Sequence, residues 1–254
     1  ALYFFCNGVL FSQTAPTPQT LPYTQDFSSL SSSSTTYPTG LNGWRLSSTN
    51  PSTYNTGGGT ADAALTVGSA SSTAGAMYNY NQKIGFLSSG SGDFGLVLAI
   101  NTSGVSNITV AYDAMVIRNI YNGTTNTRIN EMSLQYRIGT SGSFTTLSSS
   151  AYQSNTTAQS GTGVTTPVNL AARSITLPAA CDNQPVVQLR WANRDLSGGG
   201  SRPSFAIDNI SVTGTGGGDV TAPTITTYNP SIGSTGLSPY TSISATFSEN
   251  IVAG

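Results

Sequence analysis

The sequence predicts an all-β chain, an antiparallel double-sheet sandwich of jelly-roll type followed by the opening strands of a second, incomplete β-domain. Three observations carry this prediction. Apolar and polar residues alternate with period two through most of the 254 residues, the pattern of strands buried on one face. No window of a dozen residues shows a helical stripe, because Gly, Ser and Asn interrupt every candidate. Only 7% of the residues are charged, against about 25% in an ordinary soluble protein. The surface must therefore be made of Ser, Thr, Asn, Gln and Gly, a composition that suits an extracellular β-rich module. The hydrophobic share of 37% is enough for a packed core and argues against general disorder.

The elements follow in chain order. Residues 1–13, ALYFFCNGVLFSQ, form an apolar run of the length expected in a secretory leader and too short to span a bilayer. No initiator Met or basic segment precedes it, so it reads as a partial signal peptide. Residues 14–20, TAPTPQT, read as an extended, mobile Pro/Thr linker. The body spans 21–213. Phe94, Leu96, Leu98 and Ile100 share one strand face, as do Ile108, Val110, Tyr112, Ala114 and Val116. Met132, Leu134, Tyr136 and Ile138 alternate with polar neighbours, and so do Val187, Leu189 and Trp191. Turn signals such as Asn122-Gly123, Ser141-Gly142 and Gly198-Gly199-Gly200 separate the runs. About 190 residues of such strands fit one double-sheet sandwich. Residues 214–219 read as a Gly-rich linker. Residues 220–254 hold two alternating stretches, around Ile225 and from Ile243 to Phe247. They are too few to close a sandwich of about 100 residues, so they read as the start of a truncated domain.

Composition removes whole classes of chemistry. A net charge of −1 with Arg residues scattered singly leaves no footprint for nucleic acid or an anionic membrane. With no His, triads built on it and the usual His-bearing zinc sites are absent. Carboxylates occur singly, whereas a glycosidase needs two set about 5–9.5 Å apart. Glu131 reads as a solvated strand end. Nothing in the sequence would activate a Ser, and Cys181, with no nearby His or Lys, reads as an incidental small residue. The fragment itself is therefore expected to be non-catalytic.

Asp208 is the most informative carboxylate. In FAIDNISV, simple alternation places it on one face with Ala206, Ile210 and Val212, so a buried face would bury its charge. A buried carboxylate must be neutralised, paired or metal-bound. Structural calcium, which takes six to eight oxygen ligands, is one solution, with Asp26 as a second ligand if the first and last strands are neighbours. An ion pair with Arg190 or another Arg, or a carboxylate capping loop N–H groups, is the other. Sugar binding also survives the filter, because it needs aromatic faces beside amides and hydroxyls. Tyr78, Tyr80 and Tyr121 are the candidate ligand-binding residues, with Tyr54 and Tyr152 also on polar strands or loops. Packing at sheet edges is the competing role for each.

QDFSSL, LNGW and FAIDNISV resemble the opening and closing motifs of MAM-like, concanavalin-type jelly rolls. PYTQDFSSL, YNQKIGFL, TRINEMSLQYRIGTSG, ITLPAACDNQ and RPSFAIDNISV together resemble a module of large secreted Bacteroidetes multidomain proteins, over about Leu21 to Thr213. The disulfides typical of MAM domains are missing here. The tail from Val220, with Pro223, Asn229-Pro230, Gly233 and ATFSE, resembles the start of an SbsA-type bacterial Ig-like domain. These resemblances imply a secreted or cell-surface protein whose module contacts a polysaccharide or cell-surface glycan. By the same match, the closing-strand Asp of related jelly rolls puts a calcium ligand at Asp208 and, through Asp26, a second. They leave two alternatives: a ligand-free spacer, or an accessory part of a secreted enzyme, a nuclease or protease, with its catalytic domain elsewhere.

Overall fold

A computed structural model describes residues 13–118, 121–154, 156–158, 163–164, 167–216 and 223–248. The leader reading therefore falls almost wholly outside the described residues. The chain divides into two compact units, Ala1–Gly217 and Gly218–Gly254.

In the larger unit the alternating runs become β1 (Gln19–Thr20), β2 (Tyr23–Gln25), β3 (Leu41–Ser47), β4 (Ala61–Asp62), β5 (Leu65–Val67), β6 (Ala76–Asn79), β7 (Ile84–Leu87), β8 (Asp93–Asn101), β9 (Val105–Arg118), β10 (Ile129–Ile138), β11 (Thr145–Thr146), β12 (Tyr152–Gln153), β13 (Val168–Thr176), β14 (Val187–Ser197) and β15 (Ser204–Gly216). Among the described residues the only helical pieces are single 3-10 turns at Ser148–Ser150 and Ala179–Cys181. No helix among them is long and apolar enough to cross a membrane.

One sheet runs β11-β10-β14-β8-β3-β4, with β1 on β8 and β12 on β10. The other runs β13-β9-β15-β7-β6-β5, with β2 also on β15. Pairing is antiparallel except for β1 on β8 and β5 on β6. The long strands from β7 to β10, and again from β13 to β15, change sheet at each step. That alternation is jelly-roll connectivity, and the fold is an all-β sandwich. The apolar faces read from sequence meet between the sheets: Leu96, Leu98 and Ile100 from β8, Ile108 to Val116 from β9, Met132 and Leu134 from β10, and Val187, Leu189 and Trp191 from β14. Ile138, by contrast, is exposed at its strand end.

Two boundaries differ from expectation. The 14–20 segment is extended, but it docks onto the body. Gln19 and Thr20 pair with Ile100 and Asn101, Thr14 N–H donates to Asp62 Oδ1 at 2.8 Å, and Trp44 Nε1 donates to the Thr14 carbonyl at 3.0 Å. Open backbone groups along β8 offer a partner that composition does not reveal. At the other end β15 continues to Gly216, with Thr215 and Gly216 opposite Ser106 and Val105. The strand thus takes up the first residues of the expected Gly-rich linker.

The smaller unit contains β16 (Ile225–Asn229) and β17 (Ser244–Phe247), paired antiparallel. Its apolar side chains Ile232, Tyr240 and Ile243 are exposed.

Candidate functional site

A β-bulge in the closing strand determines where the chemistry lies. Asp208 stands opposite Asp113, but Ser211 stands opposite Ala111, so β15 carries one residue more than β9 across this step. Asn209 takes up the extra length in the left-handed region, with φ of 50°, which Asn tolerates better than other side chains. One inserted residue reverses the facing of everything beyond it. Phe205 and Ile207 enter the core before the bulge, and Ile210 and Val212 enter it after. Asp208 is therefore not on the buried face with Ile210 and Val212. It is half-exposed, on the outer face it shares with Ala206.

The bulge opens beside β2, which pairs with β15 at Ile210↔Gln25 and Val212↔Tyr23. The strand that leads to Asp26 and the body's last strand are thus neighbours. Between them lies a cleft of about 320 Å³ lined by Thr24, Gln25, Asp26, Asn209, Ile210 and Ser211. Asn209 Nδ2 donates to Asp113 Oδ2 at 2.8 Å and its main-chain N–H donates to Asp208 Oδ1 at 2.8 Å. Asp26 is exposed and accepts from Ser28 N–H at 3.0 Å and Ser28 Oγ at 2.8 Å. Those bonds, the backbone one foremost, hold its carboxyl below the usual range. Burial pushes Asp208 up, Asn209 N–H and Lys83 oppose the rise, and the charges of Asp113 and Asp26 add to it.

Each of these carboxylates is engaged by a protein donor. Asp26 and Asp208 each spend Oδ1 on a backbone N–H, and an amide donor occupies Asp113. Among the described residues no three His, Cys, Asp or Glu side chains are arranged to hold a metal ion. Arg190, the other suggested partner, is engaged elsewhere.

The tyrosines diverge from the sugar-platform reading. Tyr78 and Tyr80 are buried, with ring centroids 5.3 Å apart, in an outer-face cluster with Leu87, Met115, Ile117 and Ala206. One cross-strand row explains Tyr78: it stands opposite Gly85, which stands opposite Ala206, which stands opposite Met115. A Cβ at Gly85 would lie 2.0 Å from the Phe205 carbonyl oxygen, so only Gly permits this approach. Tyr78 OH donates to Ala74 O at 2.8 Å. The strand from Tyr80 returns through Asn81 and Gln82, at φ 54° and 63°, a pair of positive values typical of a type I′ hairpin. Tyr152 is buried in the core and donates to Asn169 O. Tyr54 lies half-buried, hydrogen-bonded to Ser133 and Glu131. Tyr121, half-buried in the β9–β10 connection, is likewise engaged by a neighbour.

Residues 219–254 match a family described as a bacterial Ig-like domain. No curated protein matches the chain. Among solved structures the chain is similar to TmCBM61 in complex with β-1,4-galactotriose, at 9% identity over 52% of this chain and 70% of that one, with a TM-score of 0.31. It is also similar to a chain described under "CBM4 structure and function", at 15% identity over 53% and 72%, with a TM-score of 0.30. A third is the K3 cleaved adhesin domain of Lys-gingipain from Porphyromonas gingivalis, at 12% identity over 69% and 93%, with a TM-score of 0.33.

Several charged groups were not legible in the sequence. On the outer face of the first sheet Arg190 is fully buried among neutral acceptors: Gln135 Oε1 at 2.8 Å and the carbonyls of Gly57 and Asn55, both at 2.7 Å. Its guanidinium lies 3.8 Å from the Phe144 ring centroid. Glu131 is not a solvated strand end but is buried and paired with Arg194 at 2.8 Å. Asp93 is buried behind Ser88, whose Oγ donates to Asp93 Oδ1 at 2.9 Å and accepts from Asn193 Nδ2 at 2.9 Å. Ser88 also borders a second cavity, of about 250 Å³, which has Arg118 and Arg202 in its wall. The Arg residues seemed scattered because the fold, not the sequence, gathers them.

Proposed function

We propose that the larger unit is a non-catalytic β-sandwich module of a secreted or surface multidomain protein, binding extracellular glycan by surface contact. The observation that carries this reading is the cleft at the Asn209 bulge. Its walls present Thr and Ser hydroxyls, the Gln25 and Asn209 amides and the Asp26 carboxylate, a mixture of donors and acceptors suited to sugar hydroxyls. The carboxylates around it are tied to neighbouring N–H groups, as bracing rather than as a poised acid and base. We read residues 220–254 as the opening strands of an SbsA-type Ig-like domain, and the body as a MAM-like module of the Bacteroidetes kind.

The test is affinity electrophoresis of the chain through gels holding galactan, xyloglucan, xylan or polygalacturonate. Retardation by at least one polymer is expected, weakened at least tenfold by Thr24→Trp, which fills the cleft from an exposed position. No retardation in any gel leaves only the spacer role. Release of reducing ends from a retained polymer would replace binding with hydrolysis.

A further inference from the structure

We propose that the second cavity binds the oxyanion of an acidic sugar residue, a uronate carboxylate or a sulfate ester, between Arg118 and Arg202. This rests on the glycan reading and adds a ligand class to it. The cavity is walled by both arginines together with Thr73, Ser88, Ser89 and Ser201. Its 250 Å³ equals on the order of eight waters, room for one sugar ring.

The charge balance favours an anion. Asp195 Oδ2 accepts from both Arg128 and Arg202, the latter at 2.9 Å, so one carboxylate serves two guanidinium groups. Arg202 Nε is buried and has no hydrogen-bond partner. Arg118 forms no ion pair among the described residues, and the phenols of Tyr78 and Tyr80 feel its charge. Asp93, behind Ser88, is the remaining acid, and burial pushes its pKa up to about 7. Arg118, Arg128 and Arg202 thus have the single carboxylate of Asp195 among them, while Asp93, when ionised, is faced by Arg190, in a chain whose net charge is −1. Guanidinium groups bind planar oxyanions through paired N–H donors, and the surrounding hydroxyls match those of a sugar ring. Two available arginines are too few for the phosphate track that a nucleic acid needs.

The experiment uses the full chain against polygalacturonate, dextran sulfate and neutral galactan, at 50 and 500 mM salt. At least one acidic polymer is expected to be retained more strongly than galactan. That retention should fall at least tenfold in Arg118→Gln and at high salt, recover in part in Arg118→Lys, and leave any galactan binding unchanged. The polymer retained tells carboxylate from sulfate. Arg118 suits the substitution because its guanidinium anchors no described residue; an unchanged melting temperature confirms intact folding. Acidic polymers held no better than galactan, or held equally by Arg118→Gln, overturn the inference and leave the glycan reading standing. No retention of these three polymers overturns the inference, and no retention of xyloglucan and xylan besides overturns the glycan reading as well.

Discussion

Asp93 illustrates how the few charges in this chain are used. A sequence with 19 charged residues buries Asp93, Glu131, Arg137 and Arg190, so its surface is even more neutral than composition suggests. Asp93 Oδ2 has no hydrogen-bond partner, and desolvation lifts its pKa to about 7 against the pull of Ser88, Arg190 and Phe94 N–H. The native state therefore holds this proton more tightly than the unfolded chain does. The stability this gives is complete below the unfolded value near 4 and is lost as pH rises towards 7. Each pH unit between the two values weighs about 1.4 kcal/mol. Asp93→Asn is expected to melt higher than the parent at pH 8, with the gap closing by pH 5; calorimetry at both pH values would show it, and parallel profiles would acquit Asp93. None of this was legible beforehand. Alternation in DFGLVLAIN sets Phe94 against the core, but Asp93 is enclosed by Ser88 from the nearby end of β7 together with Arg190 and Asn193 of β14, which lie far along the chain.

At the scale of the element, three irregularities of the sheet that holds β13, β9 and β15 share one device. Asn107, Asn169 and Asn209 each sit at a register shift, in β9, β13 and β15, with φ between 50° and 54°. A left-handed residue costs most side chains about 1–2 kcal/mol and β-branched ones more. Asn209→Val is accordingly expected to lose about 2 kcal/mol or more in urea unfolding, whereas Asn209→Gly keeps the backbone and loses mainly the bond to Asp113, about 1 kcal/mol. Equal losses would place the cost in that bond instead of the bulge. The strands themselves were legible because alternation is a local property, and the faces of β8, β9 and β14 followed from it. The face of Asp208 did not, since a single Asn reverses the phase and the only local signal is Asn in a strand. Tyr78 and Tyr80 failed similarly: polar neighbours marked an outer face correctly, but whether that face is roofed depends on remote segments. Gly68, for instance, lies against both, its Cβ position 2.7 Å from the Tyr80 ring.

At the scale of the molecule, the body's extent is set by hydrogen bonds and not by composition. Thr215 exchanges bonds with Ser106 and Asn107 beyond the expected limit at Thr213. A fragment of residues 13–217 is expected to melt with the body of the full chain, while 13–213 should melt at least about 3 °C lower, since each lost kcal/mol moves a domain this size by about 2–4 °C. Equal melting of both fragments would return the boundary to Thr213. The two-sheet architecture was visible in the alternation. The cavities were not, because each gathers residues from at least two segments far apart in the chain.

The pairing of β2 with β15 also has a mechanical meaning. Leu21 and Pro22 line one small cavity with Thr213, Gly214 and Gly216, so the chain reaches β2 and leaves β15 at the same end of the sandwich. Tension along the polypeptide would first part β1 from β8 and the end of β15 from β9, and would then meet the three pairs from Tyr23↔Val212 to Ile210↔Gln25 one at a time, as a zipper opens. Such a body hangs from the line of force like a pendant, and its anchorage yields well before its core.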